Sequence, residues 1–294
     1  MVPLTISWAL QVACCVTSCW VPSEFVHFAI KEGLVNIVKA SITGSIIGNI
    51  LFVFGGALFI GGLKNKEQKL NIRETSITST MLLAAVVLLL LPSMLFLFNE
   101  EIYLKQISIA VAIGLIGLYL CSLIFLFYTH KNWFATSSHE KPKMKKIHAF
   151  FLMLFAVVVL LFVSEGFAHQ LENIAHALGF GELFVGAVLV GVVGNAAEHF
   201  GALQFATKDK MSLVLSTTIG SSLQIAMFVA PILVFVSIAL GHFMSLAFLP
   251  IEIVSILVSV FLLNEIAADG RVNWLEGIQL IILYLVIAVI FFFA

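Results

Sequence analysis

Asn195 and Glu198 lie three residues apart in the apolar run AVLVGVVGNAAEHFGALQFAT, residues 187–207. In a helix this spacing puts an amide and a carboxylate on one face. The same spacing recurs on the next apolar run, where TTIGSSLQ, residues 217–224, offers the Ser221 hydroxyl and the Gln224 amide. Carboxylate, amide and hydroxyl oxygens are the ligands of a hard cation such as Ca²⁺, whereas a transition-metal site would draw on several His or Cys. Gly191, Gly194 and Gly201, on or near the Asn195/Glu198 face, remove steric bulk and predict the close approach of another backbone.

Asn195 alone also fits a helix that bonds to its neighbour through a polar group. Glu198 fits that reading less well, because an ionisable side chain at membrane depth costs at least a few kcal/mol and is kept mainly at cavities, ion paths and proton relays. His199 adjoins Glu198 but points about 100° away, so packing or helix bonding competes with a part in proton transfer. Glu165 and Glu252 fall near span ends, where capping or water exposure is expected, and Glu252 is also a candidate for lining a proton route. Cys14, Cys15, Cys19 and Cys121 follow no metal spacing and no disulfide framework. No nucleophile–base pair or cofactor motif accompanies the oxygen cluster, so neither an enzyme nor a cofactor is expected.

The elements that must position these groups are membrane helices. Hydrophobic residues make up 61% of the chain and charged residues only 11%, which excludes soluble composition. Runs that meet the requirement of roughly 20 apolar residues cover about 35–62, 78–98, 107–128, 149–164, 182–207, 212–240, 245–263 and 275–293. A ninth run, 3–21, is interrupted by Ser, Thr and Gln, and without a basic start it does not read as a cleaved leader. The chain is thus an all-α integral membrane protein of eight or nine transmembrane helices. Basic loops set its orientation. Loops 63–76 and 129–147, with KDK at 208–210 and Arg271, fall on one side, predicted cytoplasmic, leaving Lys31, Lys39 and Lys105 on the other.

An internal repeat links the two parts. Placing SITGSIIGNILFV (41–53) on TTIGSSLQIAMFV (217–229), an offset of 176, pairs Gly44 with Gly220, Ser45 with Ser221, Ile47 with Leu223, Phe52 with Phe228 and Val53 with Val229. Copies inserted in opposite directions would form an inverted repeat with a midplane site between them.

VGNAAEH followed by GSSLQIAMFVAPILV resembles the second signature repeat of the cation/proton exchanger branch of the cation/Ca²⁺ exchanger superfamily, the bacterial Ca²⁺/H⁺ antiporters in particular. ASITGSIIGN with GGLK is similar to the later part of that family's first repeat. The resemblance implies two inverted five-helix halves with an acid from each at the centre, and a plasma-membrane, multi-pass protein that exchanges Ca²⁺ for H⁺ as the halves rock. It makes Glu198 the second-half acid, Asn195 its neighbour, Ser221 and Gln224 supporting groups, and Ser45 and Asn49 first-half contributors. Ca²⁺, H⁺ and the lipid bilayer are the implied partners, with a homo-oligomer open and no nucleic acid.

One departure stands against this. The family's first repeat also carries Gly-Asn-Ala-x-Glu, and the offset of 176 places it at 18–22, where this chain reads SCWVP. Pro22 would kink a helix there, and Glu24, two residues late, would point roughly 200° from the site. Residues 1–27 are therefore expected to be atypical, as in a truncated or frame-shifted product, ahead of a partial first repeat (28–128), a basic cytoplasmic linker (129–147) and a second repeat (148–294). A transport-inactive family member or membrane helper subunit is the alternative this leaves.

Overall fold

The computed structural model describes residues 35–97, 103–130, 148, 151, 155, 159 and 179–294. Run 3–21, segment 1–27 with Glu24, nearly all of run 149–164, Glu165 and linker residues 131–147 lie outside the described residues. Among those described, six helices are long and apolar enough to cross a membrane, or seven if a bent pair is one span.

Helix α1 is Val35–Asn65, strand β1 Glu67–Lys69, α2 Ile72–Leu97 and α3 Leu104–Ile124. The second part holds α4, Glu182–Val193, and α5, Ala196–Thr207, then α6, Met211–Ala239. Helix α7 is Pro250–Ala267, β2 is Arg271–Asn273 and α8 is Trp274–Phe293. The run at 182–207 is thus not one straight helix: α4 and the following helix bend by 54° about Gly194 and Asn195. The seventh run begins at Pro250, not 245, because residues 242–249 form an irregular segment. Proline is well suited to a first helical position, where its missing N–H costs no intrahelical bond.

The repeat is visible in the backbone. Helix α1 widens into a π turn over Gly48–Phe54 and α6 over Ile225–Val229. Adding 176 to 49–53 gives 225–229, so the widened turns fall at equivalent positions. Such turns cluster at functional sites because they displace side chains from the regular helical ladder.

Packing interleaves the two parts. The start of α1 lies on α4, its widened turn on α6 and its end on α5 and α8, while α2 packs on α6 and α7. Val38, Ile46, Ile50, Leu51 and Phe54 of α1 are fully enclosed, whereas Phe261, Val289 and Phe293 are exposed on the outside, as lipid-facing side chains are. At one end, β1 pairs antiparallel with β2, Arg271 meets Glu67 at 3.5 Å, and Lys64 donates to the Thr207 carbonyl at 3.0 Å. Loops 66–71, 208–210 and 268–273, which carry most of the described basic residues, therefore gather at that end. Asn273 and Glu276 close a capping box that starts α8 from the same end.

Candidate functional site

The break between α4 and α5 arises from its residues. Gly194 and Asn195 interrupt the helix in a stretch whose next turn begins with a run of alanines. Asn195 takes a non-helical backbone at φ −108° and ψ 13° and becomes the residue from which α5 starts. Glu198 falls in the first turn of α5, where the unpaired N–H groups and the positive end of the helix dipole favour a carboxylate.

Two serines from equivalent repeat positions hold this break. Ser221 on α6 donates to Glu198 Oε2 at 2.9 Å, and Asn195 Nδ2 donates to Ser45 Oγ on α1 at 3.0 Å and to the Gly191 carbonyl at 2.8 Å. Close backbone contact makes the second bond reachable. A side chain at Gly44 would collide with the Ala187 backbone, and one at Gly191 would come within 2.8 Å of the Gly44 carbonyl carbon. The expected role for Gly191 is met there. Among the described residues, Gly194 faces only the Val190 backbone of its own helix and Gly201 has nothing within 4 Å, so no second backbone is seen against either.

Asn49 and Gln224 are the two remaining candidates. Asn49 is 1% exposed, and its Oδ1 lies 3.2 Å from His199 Nε2. Gln224, 3% exposed, sits one turn beyond Ser221 at the start of the widened turn of α6. Neither Asn49 Nδ2 nor Gln224 Nε2 has a hydrogen-bond partner among the described residues. Two enclosed amides of this kind are costly unless a further polar guest or water joins them. His199 is held between Asn49 and the edge of the Phe52 ring, 6.5 Å between centroids, which fits the packing and helix-bonding role weighed for it.

All six residues singled out by sequence thus lie on three elements that touch: Ser45 and Asn49 on α1, Asn195 and Glu198 at the α4–α5 break, and Ser221 and Gln224 on α6. Glu198 supplies the carboxylate. Among the described residues, no group of three His, Cys, Asp or Glu side chains comes together, and the six candidates carry hydroxyls, amides and one carboxyl group. Glu252 caps α7 through the Leu249 N–H at 2.8 Å, but at 2% exposure it is not water-facing. Its other oxygen accepts from Thr43 on α1, a contact that sequence reasoning missed, although Lys39 inside an apolar run was a signal that a counter-charge would be near.

A sequence profile of the sodium/calcium exchanger protein family matches residues 26–128 and 148–293. The chain is 41% identical over 289 residues to a protein of Synechocystis named Ca(2+)/H(+) antiporter, covering 91% of this chain and 78% of that one. It is 38% identical over 272 residues to the Ca(2+)/H(+) antiporter ChaA of Bacillus subtilis, covering 90% and 78%. Among solved structures, native YfkE superposes with a TM-score of 0.81 at 34% identity, over 99% of this chain and 90% of that one. The sodium-calcium exchanger NCX_Mj shares the fold, with a TM-score of 0.62 at 19% identity over 95% and 85%. The chain belongs to the sodium/calcium exchanger protein family, in its cation/proton exchanger branch.

Proposed function

We propose that this protein is a secondary active transporter that exchanges Ca²⁺ for H⁺ across the plasma membrane by alternating access. Ca²⁺ and H⁺ are its transported substrates, and the chemistry asks for no cofactor. The observation that carries the reading is the junction of Glu198 with Ser221 and of Asn195 with Ser45, at a helix break inside an apolar bundle. Broken helices meeting at the interface of two repeats are where such transporters bind their ions. Glu198 and the oxygens of Asn195, Ser221, Gln224, Ser45 and Asn49 would hold the cation, and a proton on Glu198 would cancel the charge that retains it. Binding then weakens as the pH falls through the range where Glu198 takes up a proton.

The repeat offset supports the division into a partial first repeat (28–128) and a second repeat (148–294) around the linker at 129–147. A transport-inactive chain or helper subunit is not favoured, because the similarity to antiporters extends over 91% of the chain. Everted vesicles containing the protein should take up radiolabelled Ca²⁺ when a pH gradient is imposed, and Glu198→Gln, which keeps the size but cannot ionise, should abolish that uptake. Uptake by the variant at the original rate would remove Glu198 from the site.

A further inference from the structure

At the end of α1 opposite the basic loops, a second polar cluster crosses between the repeats without touching the proposed ion site. Lys39 Nζ donates to Ser245 Oγ and to the Ala247 carbonyl, both at 3.0 Å. One turn further along α1, Thr43 Oγ1 donates to Glu252 Oε1 at 2.9 Å, while the Leu249 N–H donates to Glu252 Oε2 at 2.8 Å. Thr43 is fully enclosed and Glu252 nearly so.

The irregular segment that receives Lys39 is firmly seated. Ser93 on α2 accepts from the Phe248 N–H at 2.9 Å, Ser108 on α3 accepts from Leu246 at 3.2 Å, and Ser237 at the end of α6 accepts from Met244 at 2.9 Å. Met244, Leu246 and Phe248 are buried beneath it. Residues 244–249 therefore form a shelf stitched to three helices, and α1 is bonded to that shelf and to the first turn of α7.

Thr43 and Ser45 are two residues apart, which places them roughly 200° apart around α1. One side of the helix is thus tied to the shelf, while the other presents Ser45 to Asn195 and, past the widened turn, Asn49 to His199. Gly44, between them, lies so near the Ala187 backbone of α4 that no side chain would fit, so α1 has little room to slide. We propose that Lys39, Thr43 and Glu252 are positioning residues that set the height and rotation of α1, and through it the cation affinity of the site. Charged groups held at this depth are expensive and persist where they serve function. Here they fix a helix whose displacement by about 1 Å would pull its oxygens off the cation.

This inference rests on the reading of Ser45 and Asn49 as site residues, and its test separates the two. Thr43→Val keeps the shape and both charges while deleting the hydroxyl, so it avoids the unmatched lysine that Glu252→Gln would leave. Proton-driven Ca²⁺ uptake by Thr43→Val should show an apparent KM raised about tenfold or more, as expected for one lost hydrogen bond to a charged group, with the maximal rate within about twofold. Thr43→Ser should restore the KM, and Glu252→Gln should raise it as Thr43→Val does. An unchanged KM in Thr43→Val, or a KM in Thr43→Ser as high as in the valine variant, overturns the assignment. So does a fall in rate that merely follows the amount of folded protein recovered on size exclusion. If Glu198→Gln is inactive while Thr43→Val keeps its KM, only the positioning role falls; if Glu198→Gln transports normally, the ion-site reading falls instead.

Discussion

Helices α1 and α6 occupy equivalent places in the repeat, and they share a Gly-Ser pair and a widened turn, yet they handle charge in different ways. Helix α6 carries no Lys, Arg, Asp or Glu along Met211–Ala239, and its Ser221 donates a hydrogen bond to the carboxylate of Glu198. Helix α1 carries Lys39 and Lys64, each bonded across to the second part of the chain, and its Ser45 accepts a hydrogen bond from the neutral amide of Asn195. The duplicated scaffold thus offers a hydroxyl from each part to the proposed site, whereas among the described residues its one carboxylate, Glu198, belongs to the second part. Duplication preserves geometry more readily than it preserves charge, because a backbone turn is dictated by many contacts and a carboxylate by one residue.

The largest expected effect comes from removing that inequality. Ca²⁺ commonly gathers six to eight oxygens with more than one carboxylate, and a single acid leaves a divalent ion poorly balanced in a low-dielectric site. Replacing residues 1–27 by a segment bearing Gly-Asn-Ala-x-Glu in register with the offset of 176 should raise pH-gradient-driven Ca²⁺ uptake by about tenfold or more, the effect of one added charged contact. Equal uptake by the two proteins would show that one acid from the second part suffices.

A smaller contrast lies in the two serines. Ser221→Ala removes a hydrogen bond to a carboxylate, worth about 1.5–3 kcal/mol, and Ser45→Ala removes one between neutral groups, worth about 0.5–1.5 kcal/mol. The apparent Ca²⁺ KM should therefore rise about tenfold or more for Ser221→Ala and about two- to tenfold for Ser45→Ala. Concentration dependence of uptake, measured on both variants at one pH, decides this. An equal rise would mean that the two halves weigh the same in binding, despite their unequal charge.

Much of this arrangement was legible in the sequence because it depends on local pattern. Apolar runs mark membrane helices through their length, and the three-residue spacing of Asn195 with Glu198 and of Ser221 with Gln224 marks a shared face. Family resemblance made Ser45 a first-half contributor, but its hydrogen bond with Asn195 was not anticipated, since nothing within α1 says which helix it will cross. The break at Gly194–Asn195 was hidden inside an unbroken hydrophobic run, because hydropathy does not register backbone geometry. Glu252 was legible as a cap, but its burial against Thr43 depends on a contact 209 residues away in the chain. Local sequence carries no information on such a contact beyond the unexplained charge of Lys39.

The smallest effect is expected where the charge of α1 meets water. Lys64 donates to the Thr207 carbonyl at the end of α5, the helix that begins beside Glu198, and this contact is exposed. A cation at a helix C-terminus is favourable by about 0.3–1 kcal/mol at an exposed site, and salt screens it further. Gln68 already donates to the adjoining Ala206 carbonyl at 3.3 Å and to Asp209 at 3.0 Å, so the end of α5 keeps two ties when the lysine is lost. Lys64→Met should therefore lower the melting temperature of the detergent-solubilised protein by only a few degrees and leave the Ca²⁺ KM unchanged, whereas Thr43→Val at the buried end of the same helix should raise that KM. A Lys64→Met protein with weakened Ca²⁺ binding would show that the exposed end of α1 also governs the site, and the division between a tuning end and a merely supporting end would have to be given up.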